Sequence, residues 1–231
     1  MLGTYVNSAV IIIGALIGLL IKNGLQDRFK QIIMHGVSLS ILFIGISTTL
    51  SGMLNGGEPI LFIISLVIGG IFGEWIDLDK KLQQLGDFLQ KKVGNGDNNI
   101  ARGFVTSSLL FCVGTMAILG SLESGLKGDY DTLFAKSVLD GITSIILSST
   151  MGIGVMFSSI SVLIYQGAIT MLAIFIEPIL SEDIIREISI IGGILIFSLG
   201  LNMLDIKKIK SANLLPAIII PPIYYLVLGI F

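Results

Sequence analysis

The chain has 231 residues, 53% of them hydrophobic and only 13% charged, with 28 glycines and a formal net charge of −2; its mean hydropathy is +0.94. A soluble domain carries about a quarter of its residues as charges, so a water-soluble fold is excluded, and no basic, aromatic-interleaved cluster points to nucleic acid. A single cysteine, Cys112, and a single histidine, His35, rule out an intramolecular disulfide, a cysteine metal cluster and a His-rich zinc site.

Eight apolar runs, each long enough to cross a bilayer, predict an all-α integral membrane protein. The helices are expected at about 4–21, 33–53, 59–76, 103–122, 134–155, 159–179, 188–204 and 213–230. The first run begins without a basic n-region or a small-residue cleavage site, so it reads as a retained helix. Its sequence VNSAVIIIGALIG (Val6–Gly18), with HGVSLSILFIG (His35–Gly45) and SLVIGGIFGEW (Ser65–Trp75), forms a first pass. A second pass follows in VTSSLLFCVGTMAILG (Val105–Gly120), DGITSIILSST (Asp140–Thr150) and QGAITMLAIFIEP (Gln166–Pro178). Three spans per pass is an odd number, so the second pass runs upside down: a 3+3 inverted-topology repeat followed by two C-terminal helices. This plan is common in secondary transporters, whose substrate site lies between the repeats. The whole chain reads as one membrane domain, with repeat 1 over 4–76, a linker over 77–99, repeat 2 over 103–179 and extra helices over 188–230.

The linker DLDKKLQQLGDFLQKKV (Asp77–Val93) sets Leu78, Leu82, Leu85 and Leu89 on one helical face with lysines at both ends. That pattern predicts an amphipathic helix on the cytoplasmic leaflet, ended by GNGDNN (Gly94–Asn99). The turn between the fifth and sixth helices is expected near Ser158-Ser159, and Pro216, Pro221 and Pro222 are expected to kink the eighth.

Eight spans put Lys22, Arg28, Lys30, Lys80, Lys81, Lys91, Lys92, Arg102, Lys207, Lys208 and Lys210 on one side and Lys127, Lys136 and Arg186 on the other. The positive-inside rule then places both termini outside the cytoplasm. The outer side also carries Glu58, Glu123, Asp129, Asp131, Glu177, Glu182, Asp183 and Glu187. These read as solvated loop charges, with a cation-attracting vestibule as the alternative.

Asp140 is the most notable single residue. It is expected about one turn inside the fifth helix, four residues after Lys136 and on the same face. Ionisable groups inside spans are often functional; the competing reading is a Lys–Asp pair that anchors the helix at the outer interface. His35, opposite Asp140 in the repeat alignment, is a proton carrier or an interfacial histidine. Glu74 and Glu177 each end the third span of a repeat and read as interfacial charges. Gln166 and Thr170 share a turn-spaced face of the sixth helix, Asn202 lies in the seventh, and Ser107, Ser108 and Thr115 lie in the fourth. Serine and threonine can bond their own helix, whereas the amides need partners across helices. The glycines Gly14/Gly18 and Gly69/Gly73 form small-xxx-small faces that predict close helix contacts, within the protomer or across a homodimer. SSTMGIG (Ser148–Gly154) is either a packing surface or an unwound segment that exposes its backbone to a solute.

The segments LFCVGTMAILGSLESGLKGDYDTLFAKSVLDG (Leu110–Gly141), LSSTMGIGV (Leu147–Val155) and GGILIFSLGLNMLDIKKIKSANLLPA (Gly192–Ala217) resemble a bacterial integral-membrane family of unknown function, the one typified by YqgA and YdfK. The resemblance covers essentially the whole chain. It implies a multi-pass protein of the bacterial cytoplasmic membrane with transport as the expected activity, and it implies no substrate and no site.

No paired carboxylates, Ser–His dyad, GxSxG, Walker A or GxGxxG is present, so no enzymatic activity and no cofactor are expected. The leading expectation is a secondary transporter for a small solute or ion, using alternating access between the repeats; a passive pore and a structural or regulatory membrane subunit are the alternatives. The solute pathway is expected along Ser107, Thr115, Asp140, Ser149, Gln166 and Asn202, with Gly114 and Gly152 allowing backbone approach. The partners are the lipid bilayer and the solute.

Overall fold

The computed structural model describes residues 1–24, 26–93, 100–178 and 180–229. They form helices α1 (Leu2–Gly24), α2 (Asp27–Leu54), α3 (Pro59–Ile76), α4 (Leu78–Val93), α5 (Ile100–Cys112), α6 (Thr115–Leu126), α7 (Asp131–Met151), α8 (Gly154–Met171), α9 (Ala173–Ile176) and α10 (Glu182–Met203), then a 3₁₀ helix (Ser211–Ile219) and α11 (Ile220–Leu228). No strand occurs among the described residues. Six of these segments are long and apolar enough to cross a membrane, and a seventh if α5 and α6 count as one bent span. The protein is an all-helical membrane protein.

Several expected boundaries move, each for a local reason. The expected fourth helix is broken: α5 and α6 are bent by 61° at Val113-Gly114. The turn between α7 and α8 falls at Gly152, not at Ser158-Ser159. Gly152 has φ +84, a conformation that costs glycine little, whereas Ser158 and Ser159 donate to the Val155 and Met156 carbonyls and stay helical. SSTMGIG is therefore the end of α7 and its turn. The helices at 33–53 and 188–204 start earlier, at Asp27 and Glu182; Ser181 caps α10 by accepting the Ile184 N–H. The expected break at Gly94–Asn99, like the side chain of Leu89, lies outside the described residues.

The chain divides into two compact units: Met1–Val37, Lys81–Cys112 and Met116–Ala173 in one, Ser38–Lys80, Val113–Thr115 and Ile174–Phe231 in the other. Each unit draws helices from both halves of the sequence.

In the first unit α1 and α7 run parallel and in register. The Ser144 hydroxyl donates to the Ile11 carbonyl (2.8 Å), and the Ser148 hydroxyl to the Ala15 carbonyl (2.9 Å), so four-residue steps on one helix meet four-residue steps on the other. Glycine makes this approach possible: a Cβ on Gly14 would lie 2.5 Å from the Gly141 carbonyl oxygen. Along α8 the sense is reversed relative to α1, since Ser8 donates to the Ser159 carbonyl while Gly167 lies near Met1. Helix α5 runs alongside α8, where Gly154 packs on the Ile100 carbonyl and Ser108 bonds Ser161 (2.9 Å), and α6 meets the end of α8, where Gly125 packs on the Thr170 carbonyl. On α4, Gly86 is buried against Ala101, and Leu85 and Phe88 are exposed.

In the second unit α2 and α10 are antiparallel, with Gly45 against the backbone of Gly193 and Phe197, and the Thr49 hydroxyl donating to the Ile190 carbonyl. Helix α3 packs antiparallel on the 3₁₀ helix through Gly69 against Ala217 and Gly73 against Asn213. Asn213 pins this pair: its Nδ2 donates to the Glu74 carboxylate (2.6 Å) and its Oδ1 accepts the Asp79 N–H (2.6 Å). The expected proline kink takes the form of a 3₁₀ helix holding Pro216, followed by α11 with proline in its first turn, where a missing N–H is harmless. Both small-xxx-small faces are thus used inside their own units.

Lys210 completes the Asn213 cluster by bonding Glu74, and that hydrogen bond holds its ammonium above the ordinary lysine range. A raised lysine value means that the pair's stability is fully present below the unfolded value and is lost as pH rises through the folded one. Both side chains are exposed, so solvent and salt screen the pair. The melting-temperature difference between the wild type and Lys210→Ala should therefore be small at neutral pH, shrink in high salt and vanish at strongly alkaline pH.

Candidate functional site

The polar residues of the first unit converge on the contact of α1, α7 and α8. Asp140 is the centre. Lys136, one turn earlier on α7, pairs with it, and Asn7 of α1 donates to it from Nδ2 at 3.0 Å. The same Asn7 nitrogen donates to Gln166 Oε1 of α8 at 3.4 Å. Three helices are therefore joined by one chain: ammonium, carboxylate, amide, amide. All four side chains are buried, Asn7 and Gln166 completely and Lys136 and Asp140 at 6% and 7% exposure.

Asp140 sits farther along its helix than the expected one turn. Because α7 starts at Asp131, the carboxylate lies nine residues into the helix, about 13 Å along its axis. An unpaired buried ion is costly; the i,i+4 partner on the same face makes the pair neutral as a unit.

The chain of bonds does not satisfy its members. Thr4 Oγ1, Asn7 Oδ1, Gln166 Nε2 and Thr170 Oγ1 are buried without a hydrogen-bond partner. Leaving one such group unmet in an apolar interior costs about 1–3 kcal/mol. The four belong together: Thr4 is one turn before Asn7 on α1, Thr170 is one turn after Gln166 on α8, and the helices are antiparallel. Both hydroxyls thus lie one turn from the amides toward the same end of the unit, where the Met1 ammonium donates to Ser124 Oγ at 3.3 Å.

Of the sequence-predicted site residues, the structure brings Asp140 and Gln166 together. Ser107 donates to the Gly103 carbonyl and Ser149 to the Ile146 carbonyl, each bonding its own helix. Gly152 forms the turn after α7. Gly114 and Thr115 lie at the α5–α6 break, in the segment that clusters with the second unit. Asn202 also belongs to the second unit, where its Nδ2 donates to the Ile209 carbonyl and its Oδ1 accepts the Ile209 N–H, both at 2.7 Å. This amide closes the turn after α10. His35 is an exposed residue of α2.

Asn7 is the residue that sequence reasoning missed. The argument that singles out Gln166 and Asn202 applies to it equally, since a lone amide in an apolar span wants a partner on another helix; its place near the chain start hid it. Glu187 was also misplaced among solvated charges. With α10 starting at Glu182, it is fully buried in the second unit; its Oε1 accepts the Glu58 N–H at 2.7 Å and its Oε2 has no partner. Among the described residues no group of three or more His, Cys, Asp or Glu side chains could hold a metal ion.

The family described as "Protein of unknown function (DUF554)" matches residues 2–226. The chain is similar to the "Uncharacterized membrane protein YdfK" of Bacillus subtilis (strain 168), with 40% identity over 231 residues, covering 100% of this chain and 98% of the relative. It is also similar to the "Uncharacterized protein YqgA" of Escherichia coli (strain K12), with 28% identity over 226 residues, covering 95% of this chain and 94% of the relative. No solved structure matches it.

Proposed function

We propose that this chain, which belongs to the DUF554 family of proteins of unknown function, is a secondary transporter that carries a small solute by alternating access, with its binding site at Asn7, Asp140 and Gln166. The observation that carries this reading is the set of four buried, unpartnered polar atoms around a neutral ion pair deep in α7. A bundle that only needed glue would close its amides on each other; this one leaves both open halves facing inward.

Eight spans are the topology we propose. Helix α5 starts beside the start of α8 and α6 ends beside the end of α8, as one bent span would. Helix α7 has 21 residues, about 30 Å of helix, and its two central charges neutralise each other. Helix senses within each unit agree: α1 runs with α7 and against α8, α2 against α10, and α3 against the 3₁₀ helix, as alternation through eight spans requires. The partition of basic residues then sets both termini outside the cytoplasm. Topology reporters fused after Lys92 and at Phe231 should give opposite signals; cytoplasmic signals from both would remove this count. The 3+3 inverted duplication is proposed on the sequence correspondence alone.

Purified protein in proteoliposomes should support counterflow of its solute. Asn7→Leu and Gln166→Leu should each lower that flux by about tenfold or more while the protein still inserts, because each removes a polar group that only a bound solute would complete. Asn202→Leu should reduce thermal stability and leave flux per folded molecule unchanged. Equal flux in the wild type and both site variants would discard this site.

A further inference from the structure

Hydrogen-bond chemistry around Asp140 decides which halves of the two amides are open. A carboxylate only accepts, so Asn7 must point its NH₂ at Asp140, and its Oδ1 is the free half. Gln166 accepts Asn7's N–H through Oε1, so its Nε2 is the free half. The open groups are thus one acceptor and one donor on adjacent amides, flanked by the Thr4 and Thr170 hydroxyls, which can do either.

We infer that this site, on the transport reading above, takes an uncharged polar solute whose own donor and acceptor lie side by side, as in a hydroxyl, amide or urea group, and that it rejects ions of both signs. Charge balance is the reason. Lys136 and Asp140 cancel each other, so the site holds no unneutralised charge to compensate an arriving ion. A cation would meet the Nε2 hydrogens of Gln166 and the Lys136 ammonium. An anion would meet Asn7 Oδ1 and the Asp140 carboxylate. A dipolar group meets neither conflict, and transferring it into a low-dielectric site is far less costly than transferring a net charge.

Thiol-reactive probes that share one reactive group and differ in charge test this in the full-length protein in lipid nanodiscs. On a Cys112→Ala background, Thr170→Cys and, separately, Thr4→Cys report on the site from two different helices, and Asn55→Cys, exposed at the end of α2, supplies the reference rate for each reagent. The probes are the hydroxyethyl, trimethylammonioethyl and sulfonatoethyl methanethiosulfonates. Relative to Asn55→Cys, the hydroxyethyl reagent should modify the site cysteines about tenfold or more faster than either charged reagent, the ordering that ion desolvation dictates. A charged reagent reacting as fast as the neutral one would overturn the inference and leave transport intact. No modification by any reagent at either position, in protein that remains monodisperse, would show a dry packing contact and overturn the site with it. Absence of counterflow in wild-type liposomes alongside neutral-selective labelling would instead sink the transport reading and leave the selectivity of the site standing.

Discussion

Replacing Asp140 with alanine should destabilise the protein more than any other single change in the first unit, by about 3–5 kcal/mol, because it strands the buried Lys136 ammonium without its counter-ion. Lys136 has little else to turn to. It is 6% exposed, and Asn7, which offers Asp140 its NH₂ group, presents no negative charge in exchange. Removing both charges together, as in Lys136→Met with Asp140→Leu, should recover most of the loss, since two apolar side chains of similar volume avoid the desolvation that the pair has to offset. The double-mutant cycle, read from thermal unfolding in a single detergent, isolates the coupling between the two positions. Additive losses would mean that Lys136 and Asp140 do not act as a pair, and the neutral-site argument would go with them. The same double variant separates stability from function: it should fold well and carry little solute, since Asn7 loses the carboxylate that orients its amide.

A second large effect is expected at the α1–α7 seam. Gly14→Ala would put a methyl group 2.5 Å from the Gly141 carbonyl oxygen and 3.2 Å from Ser144 Cβ. Backbone cannot give way as a flexible side chain can, so the helices must separate, at a cost of about 1–3 kcal/mol from overpacking. Separation also lengthens the Ser144 and Ser148 bonds to the α1 carbonyls and pulls Asn7 from Asp140. Gly36→Ala is the matched control. It lies within α2 with nothing within 4 Å of the new methyl, so better helix propensity should leave stability unchanged or raise it by up to about 1 kcal/mol. Equal losses from the two substitutions would show that helix propensity, and not contact distance, governs these glycines.

The sequence by itself settled that the chain lives in a membrane, because low charge and long apolar runs admit no other solvent. It also marked the residues where helices approach closely, since glycines four apart on one face have little other use in lipid, and both such faces turned out to be contacts. The pairing of Lys136 with Asp140 was legible for a similarly local reason: four residues along a helix bring two side chains onto one face whatever surrounds it.

What surrounds it was decided only by tertiary structure. In water, hydrophobic patterning tells the buried side of a helix from the exposed one; in lipid both sides are apolar, so periodicity carries little information about which face meets which helix. Gln166 and Asn202 are therefore equivalent in sequence, one lone amide in each span. The fold gives the first to Asn7 and the second to the Ile209 backbone. Asn7 itself became a site residue only because α1 lies parallel to α7 in a register 133 residues apart, a long-range pairing that no local pattern encodes. The same holds for burial: starting α7 at Asp131 sets Asp140 nine residues into the helix, where packing against α1 buries its carboxylate and a buried carboxylate must have a partner.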